Sequence, residues 1–166
     1  QDATERLLEK RSFRDITVSE IARAAKTSPT AVYARFENKY ALLGALFDRY
    51  AIAKREQVAT FLGLNHLRDL PLSLTLRGVF PQIVASYRQK QSLIRAFLDH
   101  ASEDARFREA WVELGDFIMD RVATLVSARA FEVQHPDPER GLRLCMPMAF
   151  GSLAHQIQFH GIDRPE

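Results

Sequence analysis

The sequence predicts an all-α fold in two parts, a small three-helix bundle followed by a larger helical bundle. Apolar residues recur at helical spacing along most of the 166 residues, and no convincing alternating strand pattern is present. Glycine is scarce, and a composition that is 46% hydrophobic and 27% charged is that of a globular chain. We place the boundary after residue 47, which gives one domain of residues 1–47 and a second of residues 48–166.

The first part is predicted to contain three short helices, the second and third joined by a tight bend. Thr17 opens the second helix as a capping box, in which its hydroxyl bonds the Glu20 amide and the Glu20 carboxylate bonds the Thr17 amide. Ser28 caps the third helix, and Pro29 occupies its first position, where the missing N–H costs nothing. We expect helices at residues 3–10, 17–25 and 29–36, with Val18, Ile21, Ala22 and Ala25 as the buried stripe of the second.

The second part is predicted to contain longer helices, two of them interrupted by proline. Asn38 can cap a fourth helix, and residues 64–70 are predicted to form a connection. Pro81 and Pro147 fall inside later helices, where an interior proline removes a backbone hydrogen bond and bends the axis. We expect the later helices to start at Pro71, to cover residues 93–100, to run from about residue 102 to Phe131, and to run from Pro138 to His160, the last carrying Leu142, Cys145, Met148, Leu153 and Ile157 at helical spacing.

The basic charge is concentrated in the amino-terminal third of the chain. Residues 1–60 contain 11 Lys and Arg against 8 Asp and Glu, whereas residues 61–166 contain 12 against 13. Such a cluster is most often a solvated helix face, but beside a tight helical bend it also suits the phosphates of nucleic acid. The basic side chains near the bend are Arg23, Lys26, Arg35 and Lys39.

The third helix has small side chains at its leading end. A turn of three or four residues sets two helices at a large angle, as in a helix-turn-helix, whose second helix enters the major groove amino end first. The groove is about 12 Å wide, so small side chains let the helix come close to the bases. Thr30 offers a hydroxyl and a methyl group to base edges, and Tyr33 offers a hydroxyl to phosphate. The predicted DNA contacts are Thr17, Lys26, Thr27, Ser28, Pro29, Thr30, Ala31, Tyr33, Ala34, Arg35 and Lys39.

One motif in the first 47 residues has a specific order and spacing. Thr-Val-x-x-Ile-Ala-x-x-Ala at residues 17–25 is followed by Ser28 and by Tyr-x-x-Phe-x-x-Lys at Tyr33, Phe36 and Lys39. This pattern resembles the DNA-binding domain of the TetR (tetracycline repressor) family of bacterial transcriptional regulators. The resemblance implies a dimeric repressor that binds a palindromic operator and is released by a small effector. The alternative for this region is a three-helix bundle of structural or protein-binding use.

Several positions differ from the usual TetR pattern. The turn has Lys26 and Thr27 where the family has glycine then valine, so Lys26 must accept a helix-end conformation that glycine adopts more easily, at a cost of up to about 1 kcal/mol. Thr30 replaces an early glycine of the third helix, and Arg35 replaces the histidine or tyrosine before Phe36. These residues change the expected base preference, so no known operator sequence is carried over.

The last two predicted helices are expected to form a homodimer. A long antiparallel pair with an apolar face can make a four-helix bundle with its twin, which places two DNA-binding heads on one operator. The TetR resemblance favours this use over packing within a single chain. The small residues that permit close approach are Ala149, Gly151, Ser152 and Ala154.

The middle helices are expected to enclose a small, mostly apolar effector. Two bent helices beside many aromatic and sulfur side chains can leave a pocket, although core packing is the more common role for each side chain alone. The TetR resemblance implies that the effector shifts the dimer away from its DNA-binding state. The predicted pocket residues are Phe80, Tyr87, Phe97, Trp111, Phe117, Met148 and His155.

Catalytic sites, metal sites and cofactors are not expected. The five histidines show no HExxH or i,i+4 pair, and no GxSxG, P-loop or GxGxxG motif is present. No run of 18 apolar residues could span a membrane, and the single Cys145 excludes an internal disulfide and fits a reducing cytoplasm. We therefore expect a cytoplasmic, non-enzymatic regulator. A helical adaptor that has lost DNA binding is the alternative.

Overall fold

The computed structural model describes residues 2–62 and 70–159, which form helices joined by turns and contain no strand. The predicted all-α class is therefore confirmed. No described helix is both long and apolar enough to cross a bilayer. The helices are α1 Asp2–Leu8, α2 Val18–Ala24, α3 Pro29–Tyr33, α4 Lys39–Leu62, α5 Leu72–Gln89, α6 Gln91–Glu103, α7 Ala105–Ser127 and α8 Pro138–Phe159, with short 3-10 helices at Phe13–Asp15 and Ala130–Glu132.

The predicted starts of the second and third helices are confirmed by their side-chain caps. Thr17 Oγ1 accepts from the Glu20 amide at 3.2 Å, and Glu20 Oε2 accepts from the Thr17 amide at 2.8 Å, which completes the capping box. Ser28 Oγ accepts from the Ala31 amide at 3.1 Å with Pro29 at the first turn. Because each cap satisfies amides that the helix itself cannot pair, these short helices are fixed locally.

The end of α2 has the left-handed geometry expected at Lys26, whose φ is 54°. The Lys26 amide donates to the Arg23 carbonyl at 3.1 Å, and the Thr27 amide donates to the Ala22 carbonyl at 2.9 Å. This pair of hydrogen bonds is the Schellman motif that ends many helices, usually with glycine at the left-handed position. The motif turns the chain sharply into α3, and here a lysine carries the backbone strain.

The hydrophobic core runs along α4. Near its start, Leu43 and Leu46 are buried together with Ile16 of the amino-terminal part. One turn further, the Phe47 ring lies 5.4 Å from the Phe97 ring of α6 and 4.8 Å from the Phe107 ring of α7, measured between centroids. Burying each such side chain contributes about 1.5–3 kcal/mol. The boundary predicted after residue 47 thus falls inside a continuous helix and stays a prediction.

Some helix ends differ from those predicted by the sequence. The third helix ends at Tyr33 rather than near residue 36, and α6 covers Gln91–Glu103 rather than residues 93–100. Asp104 does not belong to α7 but caps it, because its carboxylate accepts from the Phe107 amide at 2.9 Å. The helix then ends at Ser127, and Phe131 lies in the following 3-10 turn with 86% of its surface exposed. The predicted connection at residues 64–70, apart from Leu70, and the predicted helix end at His160 lie outside the described residues.

The predicted buried stripe of the second helix needs correction. Ala25 of the second helix is exposed, because it follows the last helical residue and borders the turn. In α8, Met146 and Ile157 are buried, whereas Cys145 and Met148 are exposed. The sequence pattern alone did not fix which side of this proline-interrupted helix faces the rest of the chain.

Candidate functional site

The outer side of α3 is exposed and presents small or polar groups. Val32 is buried at 9% exposure and anchors the helix to α2, which packs against it. The neighbouring residues point the other way, and Tyr33 keeps 55% of its surface exposed. The predicted DNA contacts that lie exposed on this side and on the preceding turn are Lys26, Thr27, Ser28, Pro29, Thr30, Ala31, Tyr33, Ala34 and Arg35.

Thr17 is exposed and Lys39 is half-buried. The side chains of both form hydrogen bonds to other groups of the same chain. The Thr17 hydroxyl belongs to the α2 capping box. The Lys39 ammonium donates to three carbonyl oxygens, those of Arg14 at 2.7 Å, Phe13 at 3.1 Å and Ile16 at 3.3 Å. Because an ammonium has three N–H donors, these bonds use all of them. Lys39 therefore fastens the start of α4 to the 3-10 turn.

The Glu20 carboxylate at the start of α2 belongs to a small hydrogen-bond network with Thr17 and Arg11. The Thr17 amide and hydroxyl, and then the Arg11 guanidinium at 2.5 Å, lower the pKa of Glu20 from its usual 4.5 to about 2. Glu20 is therefore an anion at every physiological pH, and Arg11 stays beside it. This network stabilises the helix that supports α3.

A cavity of about 380 Å³ lies between α4, α5, α7 and α8. Ligand pockets in proteins usually enclose about 300–1,000 Å³, so the volume suits a small molecule. Most of the lining is aliphatic or aromatic, and Pro147 of α8 contributes to the wall. The apolar lining residues are Val58, Phe61, Leu76, Ile83, Trp111, Val112, Leu114, Ile118, Met119, Val122, Leu125 and Phe150.

One side of the cavity is polar, and we call its residues the polar corner: Tyr50, Lys54 and Gln57 of α4 with Ser86 and Tyr87 of α5. The Lys54 ammonium donates to Ser86 Oγ and to Gln57 Oε1, the latter at 3.0 Å. Burial raises the pKa of the Tyr87 hydroxyl to about 12, and burial together with Tyr87 raises that of Tyr50. Both phenols therefore stay neutral and can donate hydrogen bonds into the cavity.

The predicted pocket residues divide between this cavity and other places. Tyr87 and Trp111 line it. Phe97 lies in the core with no exposed surface, because it fills the space between α4 and α7. Phe80, Met148 and His155 lie on the surface instead. The Phe117 ring contacts the Arg55 and Arg121 guanidinium groups.

The sequence reasoning missed most of the polar corner. Tyr50, Lys54 and Gln57 are spaced by four and three residues, so they share one face of α4. That spacing was visible in the sequence, but it did not show whether the face met solvent or a cavity. Within the described residues, no group of three or more His, Cys, Asp or Glu side chains could hold a metal ion.

Several contacts join the amino-terminal helices to the larger bundle. The Tyr40 ring of α4 stacks on the His100 ring of α6 at 4.8 Å between centroids, and it also meets Phe13 edge-on at 5.8 Å. The Arg14 guanidinium pairs with the Glu103 carboxylate at the end of α6. These contacts place the base of the helix-turn-helix directly on α6, which packs against the cavity-lining helix α7.

The amino-terminal region matches a known family. Residues 2–46 fit the family described as bacterial regulatory proteins, tetR family. This region belongs to the TetR family. The match covers α1 to α3 and the beginning of α4, so it includes the exposed face of α3 described above.

The whole TetR-type fold is also found in solved structures. A candidate TetR-family transcriptional regulator from Mesorhizobium loti MAFF303099 superposes with a TM-score of 0.78 at 19% identity, over 99% of this chain and 84% of that one. Thermus thermophilus FadR, a TetR-family transcriptional repressor in complex with lauroyl-CoA, gives a TM-score of 0.60 at 21% identity, over 95% of this chain and 81% of that one. At these identities the similarity concerns the fold. A comparison with curated protein sequences finds no match.

Proposed function

We propose that this TetR-family chain is a dimeric transcriptional repressor that reads an operator with α3 and is released by a small effector held in the cavity. The observation that carries the proposal is the exposed, small-sided face of α3, on which Thr30 and Tyr33 lie beside exposed Lys26 and Arg35. A helix with this surface can approach base edges in the major groove while the flanking cations meet phosphates. This surface supports a role in transcriptional regulation rather than catalysis. We place that role in the cytoplasm.

Direct base readout is assigned to Thr30 and its neighbours, and phosphate contact to the flanking side chains. Thr30 carries a hydroxyl for base edges and a methyl group that suits thymine. Tyr33, Lys26 and Arg35 are exposed donors within five residues of it along the chain. Because Lys39 already donates to three backbone carbonyls, its contribution is to hold α4 in place rather than to bind phosphate.

Dimerisation through α8, together with α7, is supported by exposed apolar side chains. Leu144, Met148 and Phe159 keep 61%, 72% and 65% of their surfaces exposed, and they recur along one side of α8. A stripe of this kind rarely faces solvent in a monomeric protein. Gly151 and Ser152 lie exposed on the same helix, where small residues let a second copy approach. A two-fold dimer would then present two α3 helices about 34–36 Å apart, or a multiple of that distance.

Coupling between effector and DNA is assigned to α4. This one helix of 24 residues begins at Lys39, beside the helix-turn-helix, and carries Tyr50, Lys54 and Gln57 on the cavity wall. A ligand that binds better when α4 is tilted would shift the population toward that state. The typical coupling of about 1–3 kcal/mol corresponds to some 5–150-fold in operator affinity.

One of the two solved structures contains an amphipathic ligand, which supports an effector of that character here. Thermus thermophilus FadR binds lauroyl-CoA in a fold similar to that of this chain. In this chain the cavity is mostly apolar with one polar corner.

Selection of bound fragments from genomic DNA by the purified chain tests the proposal. We expect a palindromic sequence to be enriched, and Arg35→Ala should bind it less tightly with a smaller dependence on salt concentration. Arg88→Ala, which removes an exposed arginine from α5, is the matched control and should bind like the native chain. Failure to retain any fragment at low salt would favour the alternative, an adaptor that has lost DNA binding.

A further inference from the structure

We propose that the effector is a single-chain amphiphile whose anionic head pairs with Lys54 and whose hydrocarbon tail fills the apolar part of the cavity. The proposal rests on the proposed function in one respect, since it takes the cavity as the effector site. It goes further by fixing the sign of the ligand's charge and the place of its head group.

The charged groups of the cavity wall favour an anion. Lys54 is the one cation among the lining residues that the structure describes, and it is half-buried. Asp116 is the one acid, and it is exposed to solvent. An exposed carboxylate is well hydrated and screened, whereas a half-buried ammonium gains more from a partner.

The partners of Lys54 leave its charge uncompensated. Its two hydrogen-bond acceptors are the Ser86 hydroxyl and the Gln57 amide oxygen, both neutral, and the ammonium lies 5.7 Å from the centre of the Tyr50 ring. Across residues 2–62 and 70–159, no carboxylate forms an ion pair with it. Because an ammonium has three donors, one N–H remains for a ligand after these two bonds.

The surroundings of Lys54 disfavour its charge until an anion arrives. Burial, and then the nearby positive charge of Lys90, lower the pKa of Lys54 below its usual value. Lys90 itself is paired, since its ammonium lies 2.6 Å from the Glu5 carboxylate. An anionic head at the polar corner would restore the stability of the charged form and would also accept from the neutral Tyr50 and Tyr87 hydroxyls.

The remainder of the cavity suits a hydrocarbon tail. Beyond the polar corner the lining is aliphatic and aromatic except for the exposed Gln82 and Asp116, and Met119 is an adaptable side chain in this part. A tail in this space is desolvated along its length, so each added methylene is expected to tighten binding by about fourfold until the cavity is full. The cavity volume of about 380 Å³ limits the ligand to one chain of moderate length.

Binding of three matched probes in the absence of DNA tests this assignment. Trp111 is the one tryptophan of the chain and lines the cavity, so its fluorescence reports occupancy. We expect decanoate to bind at least about tenfold more tightly than decanol, and decyltrimethylammonium to bind most weakly. All three probes are used below their micelle concentrations.

Variants of Lys54 identify the group responsible. Lys54→Met keeps the length and apolar volume of the side chain but removes its charge, so decanoate affinity should fall about 10- to 100-fold while decanol affinity is kept. Lys54→Arg should keep the preference for decanoate. Lys10→Met removes an exposed lysine of the amino-terminal part and should leave all three affinities unchanged. Thermal unfolding of each variant shows whether the fold is retained, and Lys54→Gln replaces Lys54→Met if it is not.

The possible results separate this assignment from the proposed function. Equal affinities for decanoate and decanol, tighter binding of the cationic probe, no binding of any probe, or no effect of removing the Lys54 charge would each overturn the anionic head group. Retention of DNA by the same preparation is measured without any amphiphile. If DNA is retained while decanoate shows no preference, the head-group assignment alone fails. If decanoate binds as expected and no DNA is retained, the repressor function alone fails.

Discussion

The Lys39 ammonium lies 2.7 Å from the carbonyl oxygen of Arg14 and donates a hydrogen bond to it. The bond joins the first residue of α4 to the 3-10 turn that precedes α2. Lys39 also donates to the Phe13 and Ile16 carbonyls, so a single ammonium joins three backbone groups in and beside this turn. Lys39 therefore adds polar contacts to the apolar packing that holds the helix-turn-helix on the long helix.

Lys39→Met is expected to destabilise the fold. The substitution keeps the aliphatic stem and removes charged hydrogen bonds to three carbonyls, so the free energy of unfolding should fall by about 1.5–3 kcal/mol. Urea unfolding followed by circular dichroism measures this loss. Lys10→Met, at an exposed position, should leave the unfolding midpoint unchanged. If Lys39→Met keeps its stability but reduces the salt dependence of DNA binding, Lys39 contacts phosphate and does not stabilise the turn.

Substitutions at Lys26 separate backbone strain from charge. Its φ of 54° suits glycine, so Lys26→Gly should exceed Lys26→Ala in free energy of unfolding by about 1 kcal/mol, because alanine keeps the strain. Both variants remove the ammonium, so both should lower the slope of log affinity against log salt concentration by about 1 unit on the selected operator. Equal stabilities would argue against the left-handed backbone at this turn, and an unchanged slope would remove Lys26 from the DNA surface.

The pH dependence of stability is expected to contain a contribution from Glu20. Its pKa is lowered from 4.5 to about 2 in the folded chain by Thr17 and Arg11, so the ionised form stabilises the native state. That contribution is fully present above pH 4.5 and is lost as the pH falls through about 2. Glu20→Gln keeps a cap acceptor without a titrating charge, so its deficit in urea midpoint relative to the native chain should shrink across this range. A deficit that stays constant down to pH 2 would show that the carboxylate titrates elsewhere.

An acidic side chain on the exposed stripe of α8 is expected to prevent dimerisation. Met148→Glu would place an unpaired charge in the proposed interface, where desolvation is costly, and should give a monomer in sedimentation at micromolar concentration. Operator affinity should fall with it, because one α3 then binds alone. Ile52→Glu, an exposed apolar residue of α4 with 57% of its surface accessible, is the control and should leave the mass unchanged. A dimer that survives substitution of both Met148 and Leu144 would place the interface elsewhere.

The parts of the fold that the sequence predicted best are those fixed by neighbours along the chain. The Thr17 and Ser28 caps and the left-handed Lys26 each involve groups within five residues of one another, so their chemistry is visible in the sequence. The exposed face of α3 follows from the same local rules, because burying Val32 turns the adjacent side chains outward. For this reason the TetR-type motif is recognisable from the order and spacing of its residues alone.

The cavity could not be predicted residue by residue. Its wall joins side chains of four helices, and an aromatic residue such as Phe97 or Trp111 has the same local pattern whether it fills the core or borders a space. The sequence pointed to Tyr87 and Trp111 but not to Lys54, since a lysine on a helix usually faces solvent.

The sequence by itself determined the all-α class, the caps and turn of the amino-terminal helices, and the side of α3 that faces outward, because hydrogen bonds and helical periodicity over a few residues decide these features. Only the tertiary structure decided that Lys39 turns its ammonium back onto the chain and that Lys54 borders a cavity. Both outcomes depend on groups more than 20 residues away, the Arg14 carbonyl for Lys39 and the Ser86 hydroxyl for Lys54. The sequence does not show which distant groups the packing of helices will bring to a side chain.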